Sequence, residues 1–118
     1  MSYPIILATP GLRRFAEDVD TERQAQLTKS VEQHHPDGTG PAIEVFPGWA
    51  ALDLVAAARG LCQLHADQDV VTWRDIFGEA ACEALAESDP VALRKELVQV
   101  AAVCAAWIAD LDSRPTTA

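Results

Sequence analysis

Thr72-Trp73-Arg74-Asp75-Ile76-Phe77-Gly78-Glu79-Ala80-Ala81-Cys82-Glu83-Ala84-Leu85-Ala86-Glu87-Ser88-Asp89-Pro90 is the stretch on which the fold turns. Thr72 is a good helix N-cap, with Asp75 three residues on to complete a capping pair. Trp73, Ile76, Phe77, Ala80, Ala81, Ala84 and Leu85 recur at helical spacing and form one apolar stripe, so a helix is expected from about 72 to 88. Asp89-Pro90 then restarts the chain as an acidic N-cap followed by proline at the first helical position, and no further breaker occurs before Pro115. A last helix of about 22 residues, roughly 33 Å long, follows. The very short connection predicts that these two helices form an antiparallel hairpin.

Outward from this pair, the pattern remains helical. Residues 11 to 33 carry Leu12, Phe15, Val19, Leu27 and Val31 at steps of three or four, and Thr21 with Gln24 offers a capping box near the middle. One bent helix and two consecutive helices both satisfy that pattern. His34-His35-Pro36-Asp37-Gly38-Thr39-Gly40-Pro41 is a cluster of turn formers and reads as a loop. Residues 43 to 47 read as a short extended segment, with another helix starting near Pro47-Gly48 and ending near His65. The fold class expected is all-α: a helical bundle with a long C-terminal antiparallel hairpin, in a single domain over 1–118. An extended arm is expected at 1–10 and a flexible tail at 113–118.

Bulk properties narrow the function. Apolar residues make up 49% of the chain but aromatics only 6%, so Ala, Leu and Val supply the buried surface, as in packed helices. A net charge of −9 argues against nucleic acid as a partner, because neutralising phosphates needs a basic face. Cys62, Cys82 and Cys104 are odd in number, lack zinc-ligand spacing and sit in Ala-rich helical stretches, so they read as reduced thiols of a cytoplasmic protein. The first ten residues have no basic start and only the short run Ile5-Ile6-Leu7-Ala8, so no signal peptide is expected. Residues 100 to 109 are apolar but too few to span a bilayer. The last helix is apolar nearly all round from 97 to 109, Gln99 excepted, which predicts a homo-oligomer, dimer or tetramer, that covers its second face.

Asp75, Glu79, Glu83 and Glu87 recur every four residues along one stripe of the penultimate helix, and Glu96 and Gln99 lie three apart on the last. Two readings of the stripe are open. It is a solvated face, or it is a site where Mg²⁺ relieves the repulsion among carboxylates. His35 and Asp37 likewise admit turn chemistry or substrate contact, and His34 and His65 read as surface residues.

The quoted stretch, continued by Leu93-Arg94-Lys95-Glu96-Leu97-Val98-Gln99-Val100-Ala101-Ala102, resembles the acidic helix pair of small MazG-like nucleoside triphosphate pyrophosphohydrolases. A second matching block is Glu22-Arg23 with Gln26 and Lys29, then Glu32-Gln33 and His35-Pro36-Asp37-Gly38-Thr39-Gly40. Together the blocks cover about half the chain. The resemblance implies an all-α fold, Mg²⁺ as cofactor, and hydrolysis of a nucleoside triphosphate to the monophosphate and pyrophosphate. It implies Glu79, Glu83 and Glu96 as metal ligands and Lys29, His35, Asp37 and Gln99 as substrate contacts, with no residue singled out as catalytic. Ala80 stands where the family has a second glutamate, Gln99 where it has an aspartate, and Ser30-Val31 where relatives continue with Trp-Gly. An amide at 99 can orient water but cannot take its proton, which would leave Asp75 or Glu87 to supply a base. The alternative is a catalytically degenerate relative that binds a nucleotide or a protein. A third reading makes the acidic surface itself the function, as a mimic that occupies a basic nucleic-acid-binding face.

Overall fold

The computed structural model describes residues 9–29 and 34–115. Residues 1–8 of the expected arm, 30–33 (with Val31, Glu32 and Gln33) and 116–118 of the expected tail lie outside them. Four helices and one small hairpin are formed among the described residues: α1 Leu12–Lys29, β1 Glu44–Phe46, β2 Trp49–Ala50, α2 Ala51–Asp67, α3 Trp73–Leu85 and α4 Pro90–Ser113. The fold is mostly helical, as expected, with a two-stranded antiparallel hairpin added. Among the described residues no helix is long and apolar enough to cross a membrane.

The described residues divide into two compact units, one drawn from 1–36 and 105–118, the other comprising 37–104. In the first, α1 is a single helix through Thr21, whose Oγ1 donates to Glu17 O at 3.0 Å instead of capping a new start. Arg14 Nη1 lies 3.4 Å from Asp112 Oδ2, and a Cβ on Gly11 would stand 3.3 Å from Ala109 Cβ. Leu12, Val19 and Leu27 of α1 stay exposed.

In the second unit the hairpin turns on Pro47-Gly48. Proline presets the first turn position, and Gly48 at φ 82 takes the left-handed second position of a type II turn. The extended stretch expected at 43–47 is therefore one arm of a hairpin, and α2 begins at Ala51 instead of 47. Two loop carbonyls meet its first N–H groups: Ala51 N donates to Ile43 O at 2.8 Å and Leu52 N to Pro41 O at 3.0 Å.

Both helix starts read from the sequence are formed. Thr72 Oγ1 accepts from Asp75 N at 3.2 Å while Asp75 Oδ2 accepts from Thr72 N at 3.0 Å, a reciprocal capping box at the head of α3. Asp89 Oδ2 caps α4 by accepting from Ala92 N at 3.0 Å, with Pro90 in the first turn. The closest helix pair, however, is α2 with α3, not α3 with α4. Asp75 shows why: it is buried, with its side chain only 1% exposed, and its Oδ2 lies 2.7 Å from Nδ1 of His65 on α2. Ile76 on the expected core stripe is more exposed than Asp75, so one end of the polar stripe faces inward. His65, read as a surface residue, is the partner that makes this possible.

The apolar core is small and sits where α2, α3 and the start of α4 meet: Ala51, Val55, Ala84 and Leu93 are the buried hydrophobic residues. Leu93→Ala is expected to cost about 2–5 kcal/mol, measured by chemical denaturation, because the buried side chain loses its transfer free energy and leaves a cavity behind. The Asp75 pair adds a pH dependence. The hydrogen bond from His65, then the Thr72 N–H, hold the Asp75 carboxyl below its ordinary value. A lowered folded-state value contributes stability above the unfolded value of about 3.9 and loses it as pH falls through the folded value. The stability gap between wild type and Asp75→Asn should therefore be full at neutral pH and shrink below about pH 4, in thermal melts across a pH series.

Candidate functional site

The acidic stripe of α3 is answered residue by residue from α2. Asp75 meets His65; Cys62 neighbours Glu79; Arg59 Nε stands 3.2 Å from Glu83 Oε1. As the α3 number rises by four the α2 number falls by three, which is the register of two antiparallel helices. Burial and the neighbouring Glu79 carboxylate push the Cys62 thiol above its ordinary value, and burial does the same for Cys82, so both are poor thiolates. All three cysteines are free but only half-buried, less enclosed than the core positions expected for them.

Glu87, next in the four-residue series, lies past the end of α3 in the connection to α4, near Val55 and Leu52 of α2. Here the helices enclose a cavity of about 180 Å³. Leu52, Val55 and Arg59 of α2 form one wall, Glu83 and Ala86 with Glu87 the second, and Glu96 of α4 the third. Oε1 of Glu87 accepts from Asp89 N at 3.1 Å. Oε2 of Glu96 is buried without a hydrogen-bond partner among the described residues. A buried unsatisfied carboxylate oxygen is costly, and it is the one feature of this wall that calls for a cation or a donor.

The loop at 39–43 packs on the chain at the end of α3. Thr39 Oγ1 donates to Glu87 O at 2.6 Å and Gly40 N to Leu85 O at 3.0 Å, satisfying carbonyls at the C-terminal end of α3. Gly40 is buried at φ 150, a conformation glycine alone takes readily, which explains its place in the turn cluster. For Thr39 and Gly40 the turn reading accounts for the residues; Asp37 remains exposed.

Of the expected metal ligands, the structure brings Glu83 and Glu96 to one cavity and leaves Glu79 outside its lining, beside Cys62. Glu87 takes the third place. Gln99 is exposed on α4 and is not part of the lining. Lys29 and His35 are exposed residues of the other unit. Arg59, Leu52 and Val55 were not anticipated, although Arg59, Cys62 and His65 at three-residue steps on one helix matched a stripe of carboxylates on the next. Among the described residues no three His, Cys, Asp or Glu side chains stand ready as a metal cage. Mg²⁺ does not require one, since it is held by one or two carboxylates with waters and phosphates completing its shell, so Glu83 and Glu96 fit that demand.

No protein-family model matches the chain, and no curated protein and no solved structure matches it.

Proposed function

We propose that this chain is a Mg²⁺-dependent hydrolase that splits nucleoside triphosphates into the monophosphate and pyrophosphate. The observation that carries the reading is the convergence of Glu83, Glu87 and Glu96 with Arg59 on one cavity, alongside the MazG-like pattern of the sequence. Glu83 and Glu96 would hold Mg²⁺, which would supply neutralisation of phosphate charge. Glu87 is the carboxylate of this cavity that remains to accept a proton from water, a role that an amide cannot fill. Pockets for whole organic ligands run to about 300–1,000 Å³. The cavity is smaller than that, so it suits the cation and phosphates while the base lies outside.

Incubation with a panel of standard and modified nucleotides should release pyrophosphate from at least one of them in a Mg²⁺-dependent way. Glu87→Gln should lower that rate on the order of 100-fold or more, and Glu83→Ala should abolish it. A folded protein that turns over no nucleotide on the panel would remove the enzymatic reading. Ala80 and the outlying Gln99 favour a second reading, a degenerate binding module. That reading expects nucleotide to raise the melting temperature with no turnover.

The apolar residues left exposed on α4, Val91, Leu97 and Val98 among them, support assembly of a cytoplasmic homo-oligomer, dimer or tetramer. Sedimentation at micromolar concentration should show a species heavier than the 12.7 kDa monomer, and Leu97→Asp should shift it towards the monomer. A monodisperse wild-type monomer would contradict the assembly.

A further inference from the structure

We infer that Arg59 is the phosphate ligand of the cavity and that Glu83 keeps it engaged until a divalent cation takes over the carboxylate, so that cation binding precedes and enables triphosphate binding. This rests on the hydrolase reading above but adds a residue and an order of events that the sequence pattern did not contain.

Arg59 is the only basic side chain in the lining of the cavity. Its contact with Glu83 is made through Nε alone, at 3.2 Å, leaving the terminal guanidinium nitrogens uncommitted among the described residues. A guanidinium that grips a carboxylate firmly does so with two parallel N–H groups, so a one-point contact is a weak tether. The exposures agree. The Arg59 side chain is 60% exposed and that of Glu83 21%, so the arginine can swing while the carboxylate stays with the cavity wall. The planar fork released by such a swing matches phosphate oxygens in shape and charge.

Charge sets the order. Three carboxylates against one guanidinium leave the cavity two negative charges in excess, which repel a triphosphate. One divalent cation cancels that excess. By occupying Glu83 it also removes the partner that holds Arg59, so a single event turns the cavity from anion-repelling to anion-binding. Repulsion and the missing phosphate ligand are relieved together, and the coupling is reciprocal, with triphosphate tightening the cation in turn.

The test is calorimetric titration of the full chain with Mg²⁺ alone, tripolyphosphate alone, and tripolyphosphate at fixed free Mg²⁺. Wild type should bind tripolyphosphate at least about 10-fold more tightly with Mg²⁺ present than without it. Glu83→Gln should bind tripolyphosphate measurably without Mg²⁺, because the tether and one negative charge are both gone. Arg59→Gln should bind Mg²⁺ at least as well as wild type but lose about 10-fold or more in affinity for tripolyphosphate. Arg59→Lys, which keeps the charge without the fork, should fall between the two and serves in place of Arg59→Gln if circular dichroism shows that variant unfolded. Unchanged tripolyphosphate affinity in both Arg59 variants, with Mg²⁺ binding intact, overturns the inference and leaves the hydrolase reading standing. Absence of Mg²⁺ binding to wild type, with or without tripolyphosphate, overturns both.

Discussion

The hydrogen bond between His65 and Asp75 is the constraint from which the second unit is built. A single carboxylate oxygen accepts from the imidazole of α2 and from both the N–H and the hydroxyl of Thr72, so the group that caps α3 also ties it to α2. Removing it would cost a helix start and a helix contact together. With so few apolar residues buried, close packing by itself would define the register of the two helices weakly. A buried carboxylate with one donor on the neighbouring helix defines it more sharply, because any slip along the helix forfeits the His65 bond in a site where its loss is costly.

From this anchor the rest of the ladder follows by helix geometry. Once Asp75 faces His65, residues four apart on α3 come round to the same side and meet Cys62 and then Arg59 on the antiparallel neighbour. The series ends with α3 itself at Leu85, and Glu87 follows in the connection beyond it. There it lines a cavity with Leu52 and Val55 of α2. The candidate site thus lies just past the last paired residue, and Glu96 reaches it because only four residues separate α3 from α4.

Capping chemistry made much of the fold legible in advance. Thr72, Asp75, Asp89 and Pro90 are local signals whose partners lie within one turn, and all four act as their sequence context implied. The neighbour of each helix was not legible in the same way. A four-residue spacing of carboxylates says that they share a face but not what that face meets, and the short connection pointed to α4 while the complementary side chains lay on α2. Glu83 and Glu96 were legible as site residues from the family resemblance. Glu87 was already a candidate base in the sequence, whereas Arg59 depended on the α2 register, which only the buried His65–Asp75 pair reveals. The Pro47-Gly48 hairpin was hidden for another reason: strands this short carry too few residues to show alternation.

The backbone around the cavity bears on the proposal that a cation binds there first. Carbonyl groups gather at the C-terminal end of α3, and their partial negative charge adds to that of Glu83, Glu87 and Glu96. The opposite pole, the N-terminus of α2, is the usual device for drawing in an anion, through N–H groups that point at it. Its first two N–H groups are already spent on Ile43 O and Pro41 O, and its N-cap residue Ala50 has no side chain to recruit a ligand. Helix dipole and carboxylates therefore act in the same direction, and the only countercharge in the lining is a guanidinium held at one nitrogen. On the proposed reading, a cavity so arranged favours a divalent ion over a phosphate until the local charge has been reversed.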